Sequence, residues 1–169
     1  MKLTRFFPVV VCRVVTSILV AIVLGTALTQ DAYSQSELLL GTWKINIARS
    51  LFSTGPAPKS GLLIYEAIGN GVFRATTETM SAEGKPNKST RTIRYDGKLY
   101  PETGANNVDA SAYTRVDEYT EQFTRTKSGK ITETGTRVVS RDGKAYTITS
   151  SGINAQGQRF NNVIVFEKK

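Results

Sequence analysis

The chain contains no histidine, and its single cysteine, Cys12, lies near the N-terminus. Without those side chains, residues 36–169 cannot assemble a Ser-His-Asp or Cys-His nucleophile system. The usual zinc and haem ligands are missing too. No disulfide can form in that part, so its stability must come from a packed core. Its length suffices for one, since chains of this size bury roughly two-thirds of their surface. Aspartate is sparse: beyond residue 35 there are only Asp96, Asp109, Asp117 and Asp142. Asp96 and Asp142 sit in Asp-Gly turns, and no Asp-x-Asp-x-Asp calcium loop is present. No metal and no cofactor are expected. No window shows a helical stripe, and no second apolar run follows the first, so no membrane span is expected beyond the N-terminal segment.

That segment has its own character. Lys2 and Arg5 give a basic start, Val14 to Leu28 carry no charge, and Ala32 and Ser34 are small residues spaced as in a cleavage site. Residues 1–35 therefore read as a secretory signal that is removed, and 36–169 as one domain that is periplasmic or secreted. The alternative is a retained anchor, for which fifteen uncharged residues are short against the roughly 20 a span needs. Cys12 is at the beginning of the apolar run, not at its end, which argues against a lipoprotein.

The whole chain has 22 Lys and Arg against 14 Asp and Glu, a net charge of +8. Its basic residues are scattered and form no run longer than two. A scattered charge reads as a solubility charge, and nucleic acid is not an expected partner. The oligomeric state is not legible.

From Gly41 onward the apolar pattern has a period near two, punctuated by turns such as Gly69-Asn70-Gly71, Asp96-Gly97-Lys98, Ser128-Gly129-Lys130 and Asp142-Gly143-Lys144. Glycine at these points suits hairpins that need positive φ. The runs between them, rich in Thr, Val, Ile, Tyr and Phe, suit strands. Strands are predicted over 41–48, 61–68, 71–80, 88–96, 110–117, 118–126, 130–140, 144–152 and 158–168, with a helical turn near 48–52 and loops over 50–60 and 104–109. A meander of 8–10 strands would leave exposed edges unless it closed, so the predicted fold is all-β, an antiparallel up-and-down meander closed into a lipocalin-like barrel. A two-layer sandwich is the alternative.

Several strand faces mix aromatic, Arg and Glu residues. Arg74 and Glu78 share one face; Glu121, Phe123 and Arg125 share another; Glu133 and Arg137 a third. Such faces read two ways. They could line a partly polar cavity where Arg137 or Arg74 meets an anionic ligand group, or they could look outward with their long stems covering the barrel. Strand glutamates (Glu66, Glu78, Glu121, Glu133) are more often on the solvent side, although a carboxylate pair for catalysis is not ruled out by the inventory.

Gly41-Thr42-Trp43-Lys44 opening the first strand resembles the Gly-x-Trp signature of the lipocalin and fatty-acid-binding protein superfamily. Val165-Phe166-Glu167-Lys168 looks like the ending of intracellular fatty-acid-binding proteins. The chain over 38–169, including Gly55-Pro56-Ala57-Pro58-Lys59-Ser60 and Gly135-Thr136-Arg137-Val138-Val139-Ser140, resembles small exported bacterial proteins called lipocalin-like. The resemblance implies a barrel in which Trp43 closes one end beneath a basic residue from the last strand. It does not carry over the fatty-acid-binding clamp. The clamp's Arg and Tyr on the last strand fall on Ile164 and Phe166, a second family Arg falls on Val138, and 49–60 is too short for two lid helices.

The resulting functional expectation is an exported barrel that binds a small apolar or amphipathic molecule, with Trp43, Tyr65, Phe73, Tyr95, Phe123, Arg137, Tyr146, Phe160 and Phe166 as ligand-binding candidates. An envelope interaction module with a solid core is a second reading, and a carboxylate-dependent enzyme a third.

Overall fold

A computed structural model describes residues 38–169, so residues 1–35, expected to be a signal segment, lie outside the described residues. Ten antiparallel strands follow one another: β1 (Gly41–Ile45), β2 (Ser60–Gly69), β3 (Val72–Met80), β4 (Pro86–Ile93), β5 (Tyr100–Thr103), β6 (Ala110–Arg115), β7 (Thr120–Lys127), β8 (Lys130–Val139), β9 (Ala145–Ile153) and β10 (Arg159–Lys168). Each pairs with its sequence neighbour, and β1 pairs with β10, so the sheet is a closed barrel. Closure removes both edges, which a chain without a disulfide would otherwise expose to pairing with other molecules.

The turns obey their chemistry. The β2–β3 hairpin turns on Asn70 at φ 53° and Gly71 at φ 69°, the paired positive-φ residues of a type I′ turn. The expected helical turn is a single 3-10 turn, Ile47–Arg49, capped by the Asn46 side chain, which accepts from Arg49 N. Beyond it, Leu51 bridges Val163, so this segment continues along β10 and forms no helical lid.

The sequence reading missed β5. Its four residues include Pro101 and hold only two register partners on each side, Thr90 and Arg91 on β4 and Ala110 and Ser111 on β6. A strand that short, carrying proline and charge, has no alternation to read. The stretch 110–126 is two strands, and its turn runs through Val116 and Asp117, which donate to Thr120 O.

Registers fix which side chains point inward. Trp43 sits opposite Leu63 and Lys168, Tyr65 opposite Ala75, Ala75 opposite Arg91, Arg91 opposite Glu102, Tyr113 opposite Phe123, Glu121 opposite Arg137, Arg137 opposite Ile148, and Ile148 opposite Ile164. These residues and their i±2 neighbours line the axis.

One end is sealed. Trp43 is fully buried and its indole Nε1–H donates to Leu39 O at 2.8 Å. Its ring lies 5.6 Å from that of Tyr146, which in turn lies 6.3 Å from Phe166. Lys168 on β10 lies over the indole at 5.1 Å and donates to Leu38 O at 2.9 Å. The basic residue over Trp43 that the resemblance implied is therefore in place. At the opposite end are the segment 46–59, the loop 104–109 and the turns after β3, β7 and β9.

Candidate functional site

The strand faces left open by the sequence divide between inside and outside. Arg74 is exposed, and Glu78 points outward to an exposed ion pair with Lys88 at 2.8 Å. Glu121, Arg125, Glu133 and Arg137 point inward. Arg137 is only 1% exposed and Val138 is 41% exposed. The resemblance matches a family arginine to Val138, one residue from Arg137 and so on the opposite face from it. The register of β8 against β7 and β9 turns Arg137 in and Val138 out. The expectation that strand glutamates look outward holds for Glu66 and Glu78 and fails for Glu121 and Glu133, because buried arginines offset their desolvation.

Arg137 is at the centre of a buried array. Its Nη1 donates to Tyr65 Oη at 3.0 Å and to Glu121 Oε1 at 3.3 Å, and its Nη2 donates to Tyr113 Oη at 3.0 Å. Tyr146 Oη donates to the same Glu121 oxygen at 3.1 Å and lies 3.3 Å from Tyr65 Oη. Because Tyr146 uses its proton on Glu121, Tyr65 must donate to Tyr146 while accepting from Arg137. The guanidinium carbon also lies 4.5 Å from the Tyr113 ring centre and 4.6 Å from that of Phe123. Gly135 makes this packing possible. A Cβ there would collide with Thr149 O and come within 2.7 Å of the Phe123 ring.

Electrostatics follow the array. Burial pushes the phenols of Tyr65 and Tyr146 up. Burial pushes Tyr113 up as well, but the guanidiniums of Arg137, Arg91 and Arg125 outweigh it and hold that phenol below the ordinary tyrosine range. Tyr113 is thus the phenol at which arginine charge converges.

A second chain of charges runs along the wall toward the open end. Arg91 lies 3.8 Å from Glu102, Glu102 lies 3.3 Å from Arg125, and Arg125 lies 2.8 Å from Glu133. Arg91 also donates to Thr77 Oγ1 at 3.0 Å. Glu102, the inward carboxylate of the short β5, ties that strand to β4 and β7. Each interior carboxylate thus faces an arginine, and the acids are not arranged as a bare pair across a cleft. Burial raises the Glu133 carboxyl, but Arg125 outweighs it, leaving the group below the ordinary glutamate range. A depressed carboxyl contributes stability above its unfolded-state pKa and loses it as pH falls through the folded one. Urea midpoints measured from about pH 5 downward should therefore fall more steeply for the native chain than for Glu133→Gln.

Not every donor in the array is used. Among the described residues, Arg91 Nε, Arg137 Nε and Ser111 Oγ are buried with no hydrogen-bond partner. Buried polar groups are normally satisfied by protein, water or ligand.

The sequence candidates separate by position. Trp43, Tyr65, Phe73, Phe123, Arg137, Tyr146 and Phe166 are buried. They pack on one another in the sealed half and around Arg137. Tyr95 is half-buried at the sealed end, 6.1 Å from Phe73 and under the Arg115 guanidinium. Phe160 is half-buried at the open end. It lines two adjoining depressions there of about 390 and 260 Å³, which also share Thr132, Glu133 and Ile153.

Other residues on the inward register are incompletely buried, and sequence reasoning did not select them. Thr77, Ile148, Asn162 and Ile164 are on the inward register yet keep partial exposure, as do Arg125 and Glu133. The only signal for them was alternation, which pairs residues on a face without saying which face is inside.

No protein-family model matches the chain, and no curated protein matches it significantly. Solved structures do. Rv2717c from M. tuberculosis is 12% identical with a TM-score of 0.54, over 82% of this chain and 97% of that one. The N57A mutant of the fluorescent protein UnaG is 14% identical with a TM-score of 0.53, over 79% of this chain and 97% of that one. A redesigned barrel, mFAP1 bound to DFHBI, is 12% identical with a TM-score of 0.45, over 80% and 99%. At these identities the likeness is one of fold alone, and that fold is the closed antiparallel barrel of the lipocalin and fatty-acid-binding protein type.

Proposed function

We propose that the barrel binds one small amphipathic molecule in its interior, admitted at the end opposite Trp43, with a polar group of the ligand meeting the array around Arg137. One observation carries this reading. Thr77, Ile148, Asn162 and Ile164 face the axis of a closed barrel and still retain surface that solvent reaches. Inward positions of a closed barrel line its interior, and their incomplete burial supports a space there. Arg125 and Glu133, inward and incompletely buried, supply the polar contact, and the isoleucines supply apolar contact of roughly 25 cal/mol per Å² buried. Ile131 and Ile153, 64% and 46% exposed beside Phe160, give the entrance an apolar rim.

The test is titration with 1-anilinonaphthalene-8-sulfonate, an anionic amphiphile that fluoresces on leaving water. Saturable binding at one per chain is expected, and Ile164→Trp, which fills the interior, should abolish it while leaving the circular dichroism spectrum unchanged. Absence of saturation, or binding indifferent to Ile164→Trp, would refute the reading. We propose as well that residues 1–35 direct export and are removed. N-terminal sequencing of the chain from a periplasmic or culture fraction should find a start near residue 36.

A further inference from the structure

One strand of the wall is held differently from the rest. β5 pairs only through Thr90 and Arg91 on one side and Ala110 and Ser111 on the other, and Pro101 brings no backbone N–H to either seam. Among the described residues, every other strand contributes to the hydrophobic cluster of the interior, and β5 contributes nothing. Pro101 and Thr103 are exposed, and Tyr100 is half-buried with its hydroxyl on Asp96. Glu102 alone points into the core, 4% exposed. It lies 3.8 Å from Arg91 and 3.3 Å from Arg125, yet this anchorage is incomplete. Glu102 Oε2, Arg125 Nε, Arg91 Nε and Ser111 Oγ, all on β5 or within two strands of it, are buried without a hydrogen-bond partner. Glycines at positive φ flank the strand, Gly97 at 73° and Gly104 at 80°. Beyond Gly104, the loop is latched across the mouth by an exposed hydrogen bond from Asn107 Nδ2 to Ile153 O at 2.8 Å.

Lifting any other strand would expose apolar core to water, which costs roughly 25 cal/mol per Å². Lifting β5 exposes charge instead, because the interior side chains of Arg91, Glu102, Glu121, Arg125, Glu133 and Arg137 all lie between β4 and β8. In a buried ion pair the attraction is largely offset by desolvation, and water supplies the partners that the four orphaned groups lack. Local opening follows the segment with the least apolar burial and the fewest backbone bonds. We infer that β5 is a gate. Residues 98–107 swing away from β4 and β6 between two fixed points, Gly97, which donates to Tyr113 O, and Asp109, which donates to Thr126 O. The movement breaks the Asn107 latch and widens the end opposite Trp43 on the side of Arg125 and Glu133, where the ligand enters. The entry rests on the reading that a ligand occupies the interior; the opening does not.

Two measurements on the full chain test the opening and the entry separately. Amide hydrogen exchange resolved by residue reads the opening without any ligand. The amides of Glu102, Asp109 and Val139 each donate to a backbone oxygen at 2.9 Å, but only Glu102 is on the gate. Its protection is expected to be at least about tenfold lower than that of the other two. Glu102→Gln, which removes the anchoring charge, should lower protection across β5 at least about tenfold further while Val139 keeps its own. Equal protection of Glu102 and Asp109 in the native chain overturns the opening. For the entry, Thr90→Cys with Thr103→Cys pins β5 to β4 in a Cys12→Ser background, since the two residues are opposite each other and within the span of a disulfide. Closing that disulfide should slow the association of 1-anilinonaphthalene-8-sulfonate in stopped flow at least about tenfold, and dithiothreitol should restore it. The same pin across β7 and β8, Thr124→Cys with Thr134→Cys, should leave the rate unchanged. Association as fast with β5 pinned overturns entry through the gate and leaves interior binding standing. Absence of saturable binding in the unpinned chain overturns interior binding and the entry with it, and the opening is then decided by exchange alone.

Discussion

Arg137→Met is expected to destabilise the protein by about 3–5 kcal/mol, the usual cost of removing one partner from a buried ion pair. Arg137 and Glu121 have side chains 0% and 1% exposed, so the loss of the guanidinium leaves a carboxylate with no water to replace it. The phenols of Tyr65 and Tyr113 lose a donor in the same step. Tyr146 still donates to Glu121, but one neutral hydrogen bond does not offset a buried charge. The double variant Arg137→Met with Glu121→Leu removes charge of both signs and should recover most of the loss, because apolar replacements of a whole buried pair are often near neutral. Urea unfolding of the three proteins gives the comparison directly. A single-variant loss below about 1 kcal/mol, the range of exposed pairs, would mean that the array is solvated in solution and that the polar interior described above is wrong.

Trp43→Ala should cost a similar amount, about 3–5 kcal/mol, as large-to-small substitutions of buried aromatics do. Trp43 has no exposed surface. It contacts Tyr146, lies beneath Lys168 and donates to Leu39 O. The substitution therefore opens a void at the sealed end and also frees the segment 38–40 that crosses it. Trp43→Phe divides the effect: most of the ring contact stays and the indole hydrogen bond goes, for a loss nearer the net value of one such bond, about 1 kcal/mol. Since Trp43 is the only tryptophan in the sequence, its emission follows this end alone. It should be blue in the native state and shift red at the same urea midpoint as the far-ultraviolet circular dichroism. A red native spectrum, or a Trp43→Ala loss no larger than that of Trp43→Phe, would show that the plug is not packed as described.

The two positions differ in how far the residues themselves announced them. Trp43 follows a glycine at the start of the first alternating run, and alternation places it on one face with Ile45 and Ile47. For a strand with lysine and asparagine on the other side, that face is the buried one. Arg137 gave no such clue. Its strand alternates Thr132, Thr134 and Thr136 against Glu133, Gly135 and Arg137, and neither set reads as a core. The threonine side is the outward one here because Gly135 and Phe123 on the adjoining strand leave room for a guanidinium, and because Glu121 neutralises it, the phenols of Tyr65 and Tyr113 accept from it, and Tyr146 holds Glu121 in place. Those partners come from β2, β6, β7 and β9, distant in sequence and brought together only by closure.

The amino-acid sequence determined the succession of extended segments and their turns, because period-two alternation and positive-φ glycines are local properties of the chain. It also excluded histidine and cysteine chemistry from the domain outright. Tertiary structure alone decided which face of each middle strand became the inside, and with it the wall of charge on β4 to β8. Alternation is symmetric between the two faces of a strand, and what breaks the symmetry is the desolvation of each charge weighed against partners that adjoining strands supply.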